Sequence, residues 1–267
     1  MQDSVNGRRM TYPSASGGVE AYLAQPAGDA PWPALIVVQE VHGLTPHIEE
    51  LARRFAQQGY LALAPNLYCH DAGFDEFTTE DLEQAMRLGR DADEAAFQAI
   101  PADRREGVRK AVVWRNTRSQ ATYLPDLLEA VAFLKSRPDV RADAIGAIGY
   151  CMGGGLVGQM ATAGADMAAG VINYGHIPPV EKVPNVRCAL QGHYGGKDLG
   201  ITSHVPELEE AMRQHGKEYT AFVYDGAPHA FFNETRASYH PEAAKLTWER
   251  TLEFFERHLK KAVVGAR

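Results

Sequence analysis

Gly149-Tyr150-Cys151-Met152-Gly153-Gly154-Gly155 follows a strand-like run at 144–149 and opens a run with helical spacing at 152–162. A G-x-nucleophile-x-G sequence between a strand and a helix predicts a sharp turn that lifts the central side chain above a sheet. Glycine at 149 and 153 lets the chain make that turn without side-chain clashes. The central residue here is a cysteine. A helix amino terminus beside it would stabilise a thiolate and offer a backbone N–H to a developing oxyanion. A lone cysteine is more often a small buried side chain. The spacing and the strand–turn–helix setting favour Cys151 as a nucleophile.

The pattern repeats on both sides of this turn. Residues 34–39 (ALIVVQ) form a continuous apolar run, as a strand buried on both faces requires. Residues 10–13 and 18–24 read as a hairpin around Ser16-Gly17-Gly18. Residues 46–58 have helical spacing through Ile48, Leu51, Phe55 and Ala56, ended by Gly59, and 60–64 is a strand stopped by Pro65. A helix at 121–136, strands at 170–174, 186–191 and 219–224, and helices at 205–215 and 242–260 complete the order. Alternating strands and helices predict an α/β fold, a mainly parallel sheet with helices on both faces. A ligand site is then expected at the carboxyl ends of the strands.

The expected organisation is one domain over 1–267, interrupted by a segment at about 70–120. That segment has helical patterning, strongest at 80–99, and carries Arg104, Arg105, Arg109, Lys110, Arg115 and Arg118. It reads as a helical insertion with a solvated outer face, and as a cap over the strand ends.

A cysteine nucleophile needs a base, and position must choose among ten histidines. His229 lies in Gly226-Ala227-Pro228-His229-Ala230-Phe231, between the last strand and the closing helix, whereas His240 falls at the start of that helix. The order nucleophile, acid, histidine places the acid after the preceding strand. Asp198 is the carboxylate of that loop; it would hold one imidazole tautomer, unless it simply caps the next helix. Asp225, at the end of the strand leading into His229, is the second choice. Glu40 stands at the end of the strand at 34–39, where a carboxylate is expensive unless paired. The same loop offers the N–H of Val41 to an oxyanion.

Composition narrows the function. A chain of 267 residues buries enough surface to need no disulfide or metal staple. Its 27 Lys and Arg against 34 Asp and Glu give a net charge of −7, which disfavours nucleic-acid binding and suits small-molecule substrates. No apolar run approaches the ~18 residues of a membrane span, and the first residues lack an apolar export signal. A cytoplasmic location is therefore expected, with Cys69, Cys151 and Cys188 as free thiols. No HExxH or CxxC motif points to a metal, and no cofactor motif is present.

These residues resemble the dienelactone hydrolase family (carboxymethylenebutenolidase-like) of the α/β hydrolases, from about residue 18 to 260. The resemblance is carried by five ordered motifs. They are Gln39-Glu40-Val41-His42-Gly43-Leu44, then Gly59-Tyr60 with Ala64-Pro65-Asn66-Leu67-Tyr68, the turn at Cys151, the Gly195 to Asp198 loop, and the segment around His229. It implies a Cys151-His229-Asp198 triad, a Glu40 that hydrogen-bonds or deprotonates the thiol, and an oxyanion hole from the N–H groups of Val41 and Met152. The implied activity is hydrolysis of a lactone or small ester through a thioester acyl-enzyme, by a monomer or homodimer. A thioesterase or broad esterase, and a non-catalytic ligand-binding protein on the same fold, are the alternatives. Family members that act on the lactones of chlorocatechol pathways hold the substrate carboxylate with arginines, one of them four residues after the catalytic histidine. Asn233 occupies that position here. Arg236, Arg115 and Arg118 are the candidate replacements, with Tyr68 and Phe231 as further substrate-binding candidates.

Overall fold

In the computed structural model, which describes residues 5–89, 93–118 and 122–260, eight strands form one sheet. β1 (Asn6–Ser14) and β2 (Gly17–Gln25) are the hairpin, with Ser14 opposite Gly17. β3 (Trp32–Val38), β4 (Leu61–Pro65), β5 (Val140–Tyr150), β6 (Ala169–Asn173), β7 (Ala189–Gly195) and β8 (Tyr219–Tyr224) follow. The spatial order is β1-β2-β4-β3-β5-β6-β7-β8. β2 pairs antiparallel with β1 and β4, and every neighbouring pair from β4 to β8 is parallel. The mainly parallel sheet expected from the alternation of elements is the one found.

The helices are α1 (Pro46–Gln57), α2 (Thr79–Leu88), α3 (Glu94–Gln98), α4 (Arg105–Thr117), α5 (Tyr123–Ser136), α6 (Met152–Thr162), α7 (Leu199–Thr202), α8 (Val205–Gln214) and α9 (Pro241–Phe255). In α1 a proline starts the first turn, and Ile48, Leu51, Ala52, Phe55 and Ala56 make one buried stripe. Gly59, at φ 84°, takes the left-handed conformation that ends it. That stripe joins one face of the sheet through Leu35, Val37, Ala62, Ala64 and Ile148, and α9 closes the same cluster. The Phe55 and Trp248 rings lie 4.8 Å apart between the two helices. The intervening positions, Ile36, Val38 and Ala147, are equally buried and point the other way, towards α5 and α6. Covering both faces explains why β3 is apolar from end to end.

Most strands differ from their expected spans by a residue or two at an end; β1, β5 and β7 differ by more. β5 begins at Val140, where it pairs with Trp32 ahead of an irregularity in β3. β7 starts three residues later and ends four residues later than expected, and includes Gly192-His193-Tyr194-Gly195, which read as loop. Pairing with β8 and full burial override the weak strand preference of glycine and histidine. His193 is accommodated by bonds to Tyr224 Oη at 2.8 Å and Gln191 Oε1 at 2.9 Å.

The chain divides into two compact units, one formed by Met1–Leu67 with Tyr123–Arg267 and the other by Tyr68–Thr122. The second holds α2, α3 and α4. The Trp114 ring lies 5.0 Å from Tyr68, 5.1 Å from Phe74 and 5.4 Å from Phe77, which gives this unit its own aromatic core. Asp81 closes a capping box with Thr78 and takes a two-nitrogen contact from Arg104 at 2.8 and 2.6 Å. Residues 90–92 and 119–120 of the expected insertion, the expected helix start at 121, and residues 1–4 of the amino-terminal segment lie outside the described residues. No described helix is long and apolar enough to cross a membrane.

Candidate active site

Five loops leave the carboxyl ends of parallel strands and converge. β3 delivers Glu40 and Val41, β5 delivers Cys151, β6 delivers Tyr174, the loop after β7 delivers Asp198, and the loop after β8 delivers His229. The turn at Cys151 is the sharp one expected. Cys151 has φ 54° and ψ −116° and sits at the N-cap of α6. Its N–H donates to the Asn173 carbonyl at 3.0 Å, and its own carbonyl accepts the Gly155 N–H at 3.2 Å. A Cβ at Gly149 would lie 2.0 Å from the Gly153 carbonyl oxygen, and one at Gly153 would lie 2.4 Å from that of Val38. Only glycine fits at either place.

Positive φ at a non-glycine residue occurs three times among the described residues, at Cys151 (54°), Tyr174 (37°) and Ala230 (57°). All three belong to this site. Each costs about 1–3 kcal/mol and persists only where the surroundings enforce it. Ala230 follows His229 directly, and the Tyr174 ring meets the imidazole edge-on at 5.3 Å. Neither residue had a signal in the sequence, because both owe their backbone to packing.

His229 is bonded at both nitrogens. Nε2 lies 3.1 Å from Cys151 Sγ, and Nδ1 lies 2.6 Å from Asp198 Oδ2. Burial pulls the imidazole pKa down, but Cys151 and then Asp198 outweigh it and raise the pKa to about 9. Asp198 occupies the N-cap position of α7 yet makes no capping bond with its side chain. The carboxylate serves the imidazole, not the helix. Asp225 is exposed at the end of β8, and His240 accepts the Ala243 N–H at 3.3 Å as the N-cap of α9.

Glu40 is buried. Its Oε2 accepts Nδ2–H of Asn233 at 2.8 Å, and its Oε1 accepts the Tyr174 hydroxyl at 3.4 Å. Burial raises its pKa; the Asn233 bond, the charges of Arg236 and His229, and Tyr174 oppose that rise. In this conformation the bonds of Glu40 go to Asn233 and Tyr174, and the thiol is bonded to His229. His42, two residues on, is pushed down to about 4 by burial and by Arg236, so it is a neutral imidazole near pH 7.

The remaining candidates separate. Val41 lies just beyond β3 and Met152 is the first residue of α6, the two places expected of oxyanion donors. Arg236 is in the turn after Asn233, close enough for its charge to act on Glu40 and His42. Phe231, expected at the substrate, is instead fully buried, 5.3 Å from both the Tyr174 and Tyr224 rings. It is a core residue, because the apolar side of this turn faces inward. Tyr68, Arg115 and Arg118 belong to the second unit and are engaged within it. Arg118 donates to the Tyr68 hydroxyl at 2.9 Å and stacks 4.6 Å from the Trp114 ring. Arg115, expected as a substrate cation, donates to the Ala85 carbonyl at 2.5 Å and to that of Gly89. It satisfies carbonyls at the carboxyl end of α2, where a cation is favoured. Among the described residues no group of three or more His, Cys, Asp or Glu could hold a metal ion.

Comparisons with known proteins show the family and the fold. A family model described as the dienelactone hydrolase family matches residues 19–259. A protein of Saccharolobus solfataricus named "Putative carboxymethylenebutenolidase" is 30% identical over 260 residues, 94% of this chain and 98% of its own length. One of the same name from Escherichia coli K12 is 30% identical over 268 residues, 96% of this chain and 89% of its own. Among solved structures, one described as a "Putative Dienelactone Hydrolase" from Klebsiella pneumoniae is 28% identical with a TM-score of 0.76, covering 96% of this chain and all of its own. Strand order, site position and these similarities together give the α/β-hydrolase fold.

Proposed function

The chain belongs to the dienelactone hydrolase family, and we propose that it opens a lactone or cleaves another small ester with Cys151 as the nucleophile. The observation that carries it is the chain of contacts from Cys151 Sγ through His229 to Asp198, at 3.1 and 2.6 Å.

Sγ attacks the carbonyl carbon, and the negative charge moves to the carbonyl oxygen. The N–H groups of Val41 and Met152 receive that charge. The C–O bond to the leaving alkoxide breaks, His229 Nε2–H gives the alkoxide its proton, and a thioester remains on Cys151. Water then loses a proton to His229 as it attacks the thioester, and the thiolate leaves. Asp198 holds the imidazole in one tautomer and stabilises its charged form. Glu40, as a second carboxylate near the imidazole, favours the same charged form and is the reserve acceptor for the thiol proton. A thiolate leaves as readily as it attacks, which suits enol lactones and activated esters better than amides.

Arg236 is the cation in this reading that holds a substrate carboxylate. The Tyr68–Thr122 unit enters the chain after β4 as a helical insertion. The substrate is a small molecule, and the enzyme works in the cytoplasm, where its thiols stay reduced. The test is a panel of lactones, p-nitrophenyl esters and acyl thioesters, assayed with and without a thiol alkylator, on wild type and Cys151→Ala. Activity against an ester or lactone that is lost on alkylation and in the variant is expected. Full activity in Cys151→Ala would overturn the reading.

A further inference from the structure

The carboxyl group of Glu40 has a holder on the loop that carries His229. Asn233 lies 193 positions from Glu40 in the chain, is 2% exposed, and donates Nδ2–H to Glu40 Oε2 at 2.8 Å. The amide has one permitted orientation. Its Oδ1 accepts the Thr235 N–H at 3.0 Å and the Thr235 hydroxyl at 2.7 Å. Turned over, it would set its NH2 against a backbone N–H and its carbonyl against a carboxylate. The backbone is held too, by the Asn233 N–H on the Ala230 carbonyl at 3.2 Å and by the Arg236 N–H on the Asn233 carbonyl at 3.1 Å. The groups that face Glu40 are Asn233, Tyr174, Tyr150, His229 and Arg236. Of its two hydrogen bonds, the one from Asn233 is the shorter, and that donor is neutral.

We propose that Asn233 is a positioning residue for the hydrolysis: its amide, oriented by Thr235, fixes the Glu40 carboxyl beside the Cys151–His229 pair with a donor that carries no charge. The inference rests on Glu40 acting in the reaction. Two physical consequences follow from that geometry. A buried carboxyl with one firm partner keeps a single rotamer, so its field falls on the imidazole in a fixed direction. A neutral donor also leaves the carboxyl able to take up a proton, whereas a cation in van der Waals contact would hold it ionised. Burial favours the protonated carboxyl and the Asn233 donor opposes it, so this hydrogen bond bears on the charge that the pair meets.

The experiment measures kcat and KM for a neutral ester between pH 5 and 10. It compares wild type, Glu40→Gln, Asn233→Leu, Thr235→Val and the double variant Glu40→Gln/Asn233→Leu, with Tm recorded for each. Asn233→Leu is expected to lower kcat by about tenfold or more while KM changes less than about threefold. The acidic limb of the profile should move to higher pH, because the lost donor favoured the charged carboxylate. In the Glu40→Gln background the same substitution should cost less than about twofold, its target being absent. Thr235→Val leaves Glu40 and Asn233 in place and removes one anchor of the amide. It should shift the limb in the same direction by less, and it gives the answer if Asn233→Leu does not fold. An acidic limb unmoved in the folded Asn233→Leu and Thr235→Val proteins, with Glu40→Gln slow, overturns the proposal and leaves Glu40 acting alone. Unchanged kinetics in Glu40→Gln remove the role of Glu40 itself, and the proposal falls with it.

Discussion

Replacing Asp198 by Asn separates the charge of the acid from its shape. Asp198 Oδ2 lies 2.6 Å from His229 Nδ1, and the side chain caps no helix, so the substitution removes a charge without removing a cap. His229 has a pKa of about 9 against burial, which pulls the other way, through Cys151 first and Asp198 second. The raised value means that the imidazolium persists until the pH rises through about 9, and that the proton for the leaving alkoxide is lost above it. Without the Asp198 charge, the alkaline limb of kcat/KM should fall by roughly one to two pH units. The His229 side chain is 39% exposed, so water screens part of the attraction and the lower end of that range is expected. The limb should stay above the ordinary histidine value, because Cys151 remains. Turnover should drop by roughly 10²–10⁴, since Asn also disturbs the tautomer. Two assays read this: kcat/KM for a neutral ester from pH 6 to 10, and the initial rate of Cys151 alkylation near pH 6.5. Alkylation should slow in the variant, because the weaker imidazole contact activates Cys151 less. A limb that stays near pH 9 with unchanged alkylation would show that the Asp198 charge does not hold the imidazolium, and the triad reasoning would fail.

Arg236→Ala should abolish any preference for an anionic lactone over a neutral one of equal size, measured as the ratio of kcat/KM values; an undiminished preference would clear Arg236 of that role. Phe231→Leu should cost about 1–1.5 kcal/mol as a core truncation and lower Tm by roughly 2–5 °C. KM for a neutral ester should change little in that variant, whereas a large rise with Tm intact would return Phe231 to the substrate pocket. Burial pushes the His193 pKa down to about 3. The unfolded chain binds that proton first, so stability should fall as pH drops below about 6.5, by up to ~1.4 kcal/mol per pH unit for this group. Urea titrations at pH 7 and 5 check this, and His193→Gln should flatten part of the slope.

Much of the fold, and the meeting of Cys151, His229 and Asp198, was legible because it is written locally. The turn at Cys151 needs glycine at 149 and 153, since a Cβ at either would overlap backbone atoms, and that requirement survives in seven consecutive letters. The buried strand β3 shows as an unbroken apolar run, and α1 shows its buried stripe at helical spacing. Chain order then selected Asp198 and His229, because each follows a parallel strand and must emerge at the same end of the sheet. The boundaries of β7 escaped, because pairing with β8 made strand of residues whose own preferences are for loops. Phe231 escaped as well: beside His229 it looked like a lining residue, and only the packing against Tyr174 and Tyr224 turned it inward. The strained backbones of Tyr174 and Ala230 have no letter that predicts them. The bond between Asn233 and Glu40 joins residues from opposite ends of the chain. Local sequence sets which turn a residue can make; only the assembled sheet decides which distant side chains meet above it, because that depends on strand order and on the burial each side chain finds there.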